Sequence, residues 1–99
     1  VLNLLTHIVF FKLKDRSPEA VERTAEVLRN MKGRIPELLD IEVGKDIVHS
    51  ERSYDLALVT KFKSLSDMNA YQAHPVHQGV LAHMREVLDS PSVCVDYEG

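Results

Sequence analysis

The stretch "AYQAHPVHQG", residues 70–79, sets two histidines three positions apart around a proline, with Tyr71 just upstream. Imidazole is the side chain whose ordinary titration falls nearest neutral pH, so such a pair can move protons or ligate a metal. A metal pair at i, i+3 needs an unbroken helical turn and further ligands. Pro75 interrupts that turn, and the chain has no cysteine–histidine zinc spacing. No glycine-rich phosphate loop or nucleophile elbow occurs either. The expectation is a site with no metal and no cofactor.

His77 is the strongest candidate. Counting about 100° per helical residue from it, Leu81, Met84 and Leu88 fall within about 40°, and Val80 and Val87 flank them. The ring therefore faces an apolar interior, where its N–H needs a partner. Two readings stay open: a general base or ligand-binding group, and a core histidine satisfied by a backbone carbonyl or water. His74, before a proline, is expected to cap or turn the chain. His7 shares a strand face with Val9 and Phe11, where it either lines a pocket or packs. Tyr71 is expected to pack with its hydroxyl at a rim, and His49 to be solvated in a polar turn.

The elements that must position these groups are short and well punctuated. "LTHIVFFKLK" (5–14) reads as a strand with apolar residues on both faces, as in a central strand covered on both sides. Ser17, Pro18 and Glu19 open a helix whose Val21, Ala25, Leu28 and Met31 form one stripe, ended by Gly33 and Pro36. Residues 38–48 and 54–62 read as strands joined by the polar turn 49–53, with Gly44 a bulge candidate. A second helix starts from Ser64 or Ser66 and breaks at His74–Pro75. It resumes to about Leu88, and 91–98 closes the chain as a strand. The order βαββαβ predicts an α+β, ferredoxin-like plait over residues 1–99: a four-stranded antiparallel sheet with its helices on one face. Helices cover one face only, so the apolar second face of the first strand calls for a second copy of the chain.

The motifs "HIVFFKLKD", "IEVGKDI", "YDLALVTKF", "YQAHPVH" and "VCVDYE" occur in an order that resembles the stress-responsive A/B barrel (Dabb) family. The resemblance implies a dimeric α/β barrel in which two ferredoxin-like subunits join their sheets. In that family most members have no assigned activity. Some form stress-associated assemblies, and one plant member carries out cofactor-free aldol cyclisation of a polyketide. Carried over from that member, His77 is the base, Tyr71 lines the site, His7 is a pocket histidine and Asp96 is the carboxylate that orients the base. The fold is shared with heme-free monooxygenases, which keeps oxygenase chemistry open. The two functional expectations are a cofactor-free small-molecule enzyme or binder, and a non-catalytic stress-related scaffold.

Composition excludes other classes. Of the 99 residues 44% are hydrophobic and 27% charged, and the formal net charge is -3. A general nucleic-acid binder needs a basic face, so no nucleic-acid partner is expected. The apolar opening "VLNLL" lacks a basic n-region and a cleavage site, and no stretch reaches the roughly 20 apolar residues of a membrane helix. No membrane partner is expected. The single cysteine, Cys94, reads as a small strand residue and fits a reducing cytoplasm.

Overall fold

The computed structural model describes residues 3–99. Val1 and Leu2, the start of the apolar opening considered above, lie outside the described residues. Seven elements follow one another: β1 (Leu5–Phe11), α1 (Pro18–Arg29), β2 (Asp40–Lys45), β3 (Leu56–Phe62), α2 (Leu65–Ala73), α3 (Pro75–Val87) and β4 (Val93–Glu98). The strands form one antiparallel sheet in the order β2-β3-β1-β4. This is the expected α+β, ferredoxin-like arrangement. Among the described residues, no helix is long and apolar enough to cross a membrane.

Helix starts obey local capping chemistry. The Ser17 side chain accepts a hydrogen bond from the Ala20 N–H at 3.2 Å, and Pro18 supplies the preset φ of a first helical residue. Ser64 does the same for α2 through the Asp67 N–H at 3.1 Å. α1 stops at Arg29, so Met31 falls in the following turn, yet it is still buried. Gly33, at φ +77°, takes the left-handed conformation that the turn out of α1 requires.

The helix-facing side of the sheet carries Leu5, Val9 and Phe11 of β1 with Leu56, Leu58 and Phe62 of β3, all buried. They close against Val21, Ala25 and Leu28 of α1 and Val80 and Met84 of α3. Each fully buried side chain of this kind contributes about 1.5–3 kcal/mol. The opposite side is different. Ile8 and Phe10 of β1 lie in register with Val95 and Val93 of β4 and with Val59 and Ala57 of β3. Among the described residues no helix covers them, and Phe10, Val93, Val95 and Tyr97 are exposed.

Two expectations need correction. Gly44 makes no bulge, because β2 pairs with β3 in unbroken register from Asp40 to Lys45, with Gly44 opposite Ala57. The strand read over 38–48 stops at Lys45, and Ile47 and Val48 stand out in the loop to β3. That loop is anchored by Asp55, which the sequence reading passed over. Its buried carboxylate accepts the Leu13 N–H at 2.8 Å and the Arg16 Nε–H at 2.9 Å. A buried carboxylate paired and bonded in this way meets its desolvation cost locally.

Candidate functional site

Strand pairing builds the first half of the site. His7 lies in register with Thr60 of β3 on one side and with Asp96 of β4 on the other. The Thr60 hydroxyl donates to the His7 carbonyl at 3.2 Å, and the His7 ring Nδ1 pairs with Asp96 Oδ1. A carboxylate accepts only, so Nδ1 carries a proton, and in the neutral ring Nε2 presents its lone pair. The surroundings are asymmetric. His7 is buried, whereas the Asp96 side chain is 36% exposed, because β4 is an edge strand with every residue exposed. Asp96 holds the ring in one orientation, and its negative charge faces the positive charge that a proton captured at Nε2 would bring.

The helix break builds the second half. α2 ends at Ala73, so its last carbonyls lose their helical donors, and Pro75 has no N–H to offer. The Tyr71 carbonyl takes the His74 N–H at 3.1 Å. The Gln72 carbonyl takes His77 Nδ1 at 3.1 Å and Gln78 Nε2 at 2.7 Å. His74 turns its own Nδ1 to accept the Val76 N–H at 3.1 Å, which starts α3. A carbonyl can bond only a protonated nitrogen, so His77 also carries its proton on Nδ1.

His77 is buried, and its ring sits 4.3 Å from the Tyr71 ring, which in turn sits 4.9 Å from Phe62. Burial holds its pKa below the ordinary 6.5. The Gln72 carbonyl works against that shift, and nearby His7 adds to it. His77 is therefore neutral at pH 7, with Nε2 an acceptor. Tyr71 is fully enclosed, and among the described residues its hydroxyl bonds only the Met31 sulfur, at 3.8 Å. Burial pushes its ionisation well upward, so it stays a neutral phenol.

The four expected residues are thus brought to one side of the sheet, with changed partners. Asp96, expected to orient His77, pairs instead with His7, since the β1–β4 register sets those two side by side. Tyr71 has its hydroxyl inside rather than at a rim. His74 caps, and His49 is solvated with its side chain 70% exposed, both as read. Two contributors were missed, Thr60 and the Gln72 carbonyl. The signal for the second was available: a proline that breaks a helix strands the carbonyls before it. Among the described residues, no three His, Cys, Asp or Glu side chains gather as a metal-binding set.

Comparison with known proteins follows from this geometry. The stress responsive A/B barrel domain model matches residues 5–99. A dimeric protein of unknown function and ferredoxin-like fold from Bacteroides fragilis is similar at 31% identity and TM-score 0.82, over 97% of this chain and 96% of that one. A dimeric ferredoxin-like protein of unknown function from Thermobifida fusca is 30% identical at TM-score 0.82, over 96% and 90%. The hydroxynitrile lyase of Passiflora edulis shares the fold at TM-score 0.83 and 17% identity, over 100% and 95%. No curated protein matches the chain in sequence. A match over residues 5–99, on the fold and strand order seen here, makes the chain a member of the stress responsive A/B barrel domain family.

Proposed function

We propose that this chain is a cofactor-free binder or enzyme for a small carbonyl compound, with His7 and Asp96 as its proton-transfer pair. The observation that supports the reading is an imidazole backed by a carboxylate at the uncovered edge of the sheet. A proton leaving the carbon beside a carbonyl passes to Nε2 of His7. The resulting enolate attacks a second carbonyl carbon, as in an aldol reaction, and the new alkoxide takes the proton back. Neutral His77, the base expected from the resemblance, becomes the second imidazole, available to accept a hydrogen bond from the substrate. Tyr71 shapes the wall behind it.

The test is native mass spectrometry of the protein purified from its own cells. A co-purified small molecule is expected, and His7→Leu should release it. A bare chain mass in both cases, with His7→Leu only lowering the melting temperature, would overturn the reading. That outcome favours the second reading, a non-catalytic scaffold, which the closed packing of Phe62, Tyr71 and His77 supports.

The working form in this proposal is a homodimer in a reducing cytoplasm. Ile8, Phe10, Val95 and Tyr97 leave an apolar sheet face that a second copy covers, and a stable interface of this type buries more than about 1,000 Å². Light scattering should report twice the 11.2 kDa chain mass, and Val95→Lys should reduce it to one.

A further inference from the structure

The strand register sorts the outer side chains of the sheet into rows. Directly paired residues share a face, so Gly44, Ala57, Phe10 and Val93 form one row running from β2 to β4. The next row is Glu42, Val59, Ile8 and Val95, and the third is Asp40, Lys61, Thr6 and Tyr97. The first row is graded in size. Its β2 and β3 positions carry almost no side chain, whereas Phe10 and Val93 at the other end are large and exposed.

The small end of that row is hollow. A recess of about 330 Å³ lies over Gly44 and Ala57, with Phe10 and Tyr54 among its walls. A Cβ added at Gly44 meets nothing within 4 Å, and its φ is not positive, so neither neighbouring atoms nor the backbone call for glycine there. Glycine inside a strand without such a need marks a place that another group approaches closely. The large end is braced. The Phe10 ring sits 6.1 Å from that of Tyr54, which the Lys12 ammonium covers at 5.6 Å.

A hollow and a knob in one row restrict how a second copy can sit. A two-fold axis between facing sheets and parallel to the strands sets β2 opposite the partner's β4, and β3 opposite its β1. Ala57 then faces the partner's Phe10 and Gly44 faces the partner's Val93, so large groups enter where small ones stand. The same operation sets Asp40 against the partner's Tyr97, a carboxylate acceptor against a phenol donor. An axis across the strands does the reverse. It brings Glu42 onto the partner's Glu42, two like charges in a covered interface, and lays the partner's Asp40 and the partner's Lys61 over the hollow. An axis normal to the sheet joins edges only and leaves the apolar face open.

We infer that the recess over Gly44 and Ala57 is a socket for the partner's Phe10, filled twice across a two-fold axis parallel to the strands. This rests on the homodimer proposed above and adds to it the way the two sheets face. It is independent of the chemistry at His7 and Asp96, which lie on the other side of the sheet.

The test measures the dimer dissociation constant by sedimentation equilibrium, with circular dichroism to check the fold. Ala57→Phe fills the socket and should raise the constant on the order of 100-fold, since the change acts twice. Phe10→Ala empties it and should raise the constant at least about tenfold. The double variant, Phe10→Ala with Ala57→Phe, offers a knob and a hollow with their strands exchanged, and should return to within about tenfold of the unaltered chain. In dimers mixed from isotope-labelled and unlabelled copies of the unaltered chain, filtered NMR spectra should connect the Ala57 methyl of one copy to the Phe10 ring of the other. A dimer without that contact overturns the socket and leaves the homodimer standing, as does a double variant no tighter than Ala57→Phe alone. An unaltered chain that stays monomeric at NMR concentrations overturns both.

Discussion

His7 and His77 flank one core and are fixed by opposite means. His77 is tied to the backbone of the preceding helix and stacked in a line of aromatic rings. His7 reaches across a strand pair to a carboxylate on an edge that no helix covers. The same side chain is in one place a neutral part of the interior, and in the other part of an ionisable pair at a boundary. Burial alone does not separate them, since both residues are almost equally enclosed, at 7% and 6% exposure. What separates them is the partner. His77 bonds an uncharged carbonyl, which opposes the lowering that burial imposes on it, whereas His7 bonds a carboxylate.

The largest effect that can break this contrast comes from the closed side. Phe62→Ala should cost about 3–5 kcal/mol in urea unfolding, because an enclosed aromatic leaves a cavity that its neighbours fill only in part. A cost under about 1 kcal/mol would mean that the aromatic line is not packed as described.

The next largest is a pH effect. Burial lowers the folded pKa of His77 below 6.5, so under mildly acidic conditions the unfolded chain binds a proton that the folded chain refuses. Stability is therefore unaffected by His77 above about pH 6.5. It falls as the pH drops below that value, by up to about 1.4 kcal/mol per unit until the folded pKa is reached. His77→Leu should flatten that part of the profile and leave stability at pH 7.5 within about 1 kcal/mol, since Gln78 still serves the Gln72 carbonyl. An unchanged slope in the variant would remove His77 as its source.

Smaller effects sharpen the open side. Asp96→Asn should change stability by less than about 1 kcal/mol, because its carboxylate is more than a third exposed, yet it should abolish retention of any co-purified ligand. Retention at the level of the unaltered chain would separate the pair from binding. The smallest effect expected is for Tyr71→Phe. Its hydroxyl donates to a sulfur, a weak acceptor, so thermal melts should stay within about 1 kcal/mol of the original.

What could be read in advance follows the range of the interactions. The periodicity of α3 pointed His77, Val80 and Met84 inward, and all three are buried. Ser17, Ser64 and His74 cap where local chemistry places them. The two-sided apolarity of β1 carried the fold, because alternation survives in seven residues whatever lies beside them. The partner of Asp96 was not legible without the register of β1 against β4, and a shift of one residue would turn Asp96 to the other face. Tyr71 looked like a rim residue because tyrosine usually pairs an apolar ring with a wet hydroxyl. The break at His74–Pro75 was legible, but the packing of the Tyr71 ring against Phe62, 4.9 Å away on β3, depends on the tertiary fold. Thr60 was one of two polar residues in a mostly apolar strand, and its duty to the His7 carbonyl depends on a neighbour 53 positions away.

The bond between His7 and Asp96 closes a loop of 89 positions. Ordering so much chain before any local reward should make β4 late to fold, and as an exposed edge strand it should peel away early. Peeling need not disturb the interior, since all six β4 residues are exposed while Leu58, Phe62 and Leu28 remain enclosed. Amide hydrogens of Val95 and Tyr97 should accordingly exchange faster than those of Leu58. Dimerisation over the outer sheet face would slow them, making assembly a clamp on the strand that completes the histidine pair.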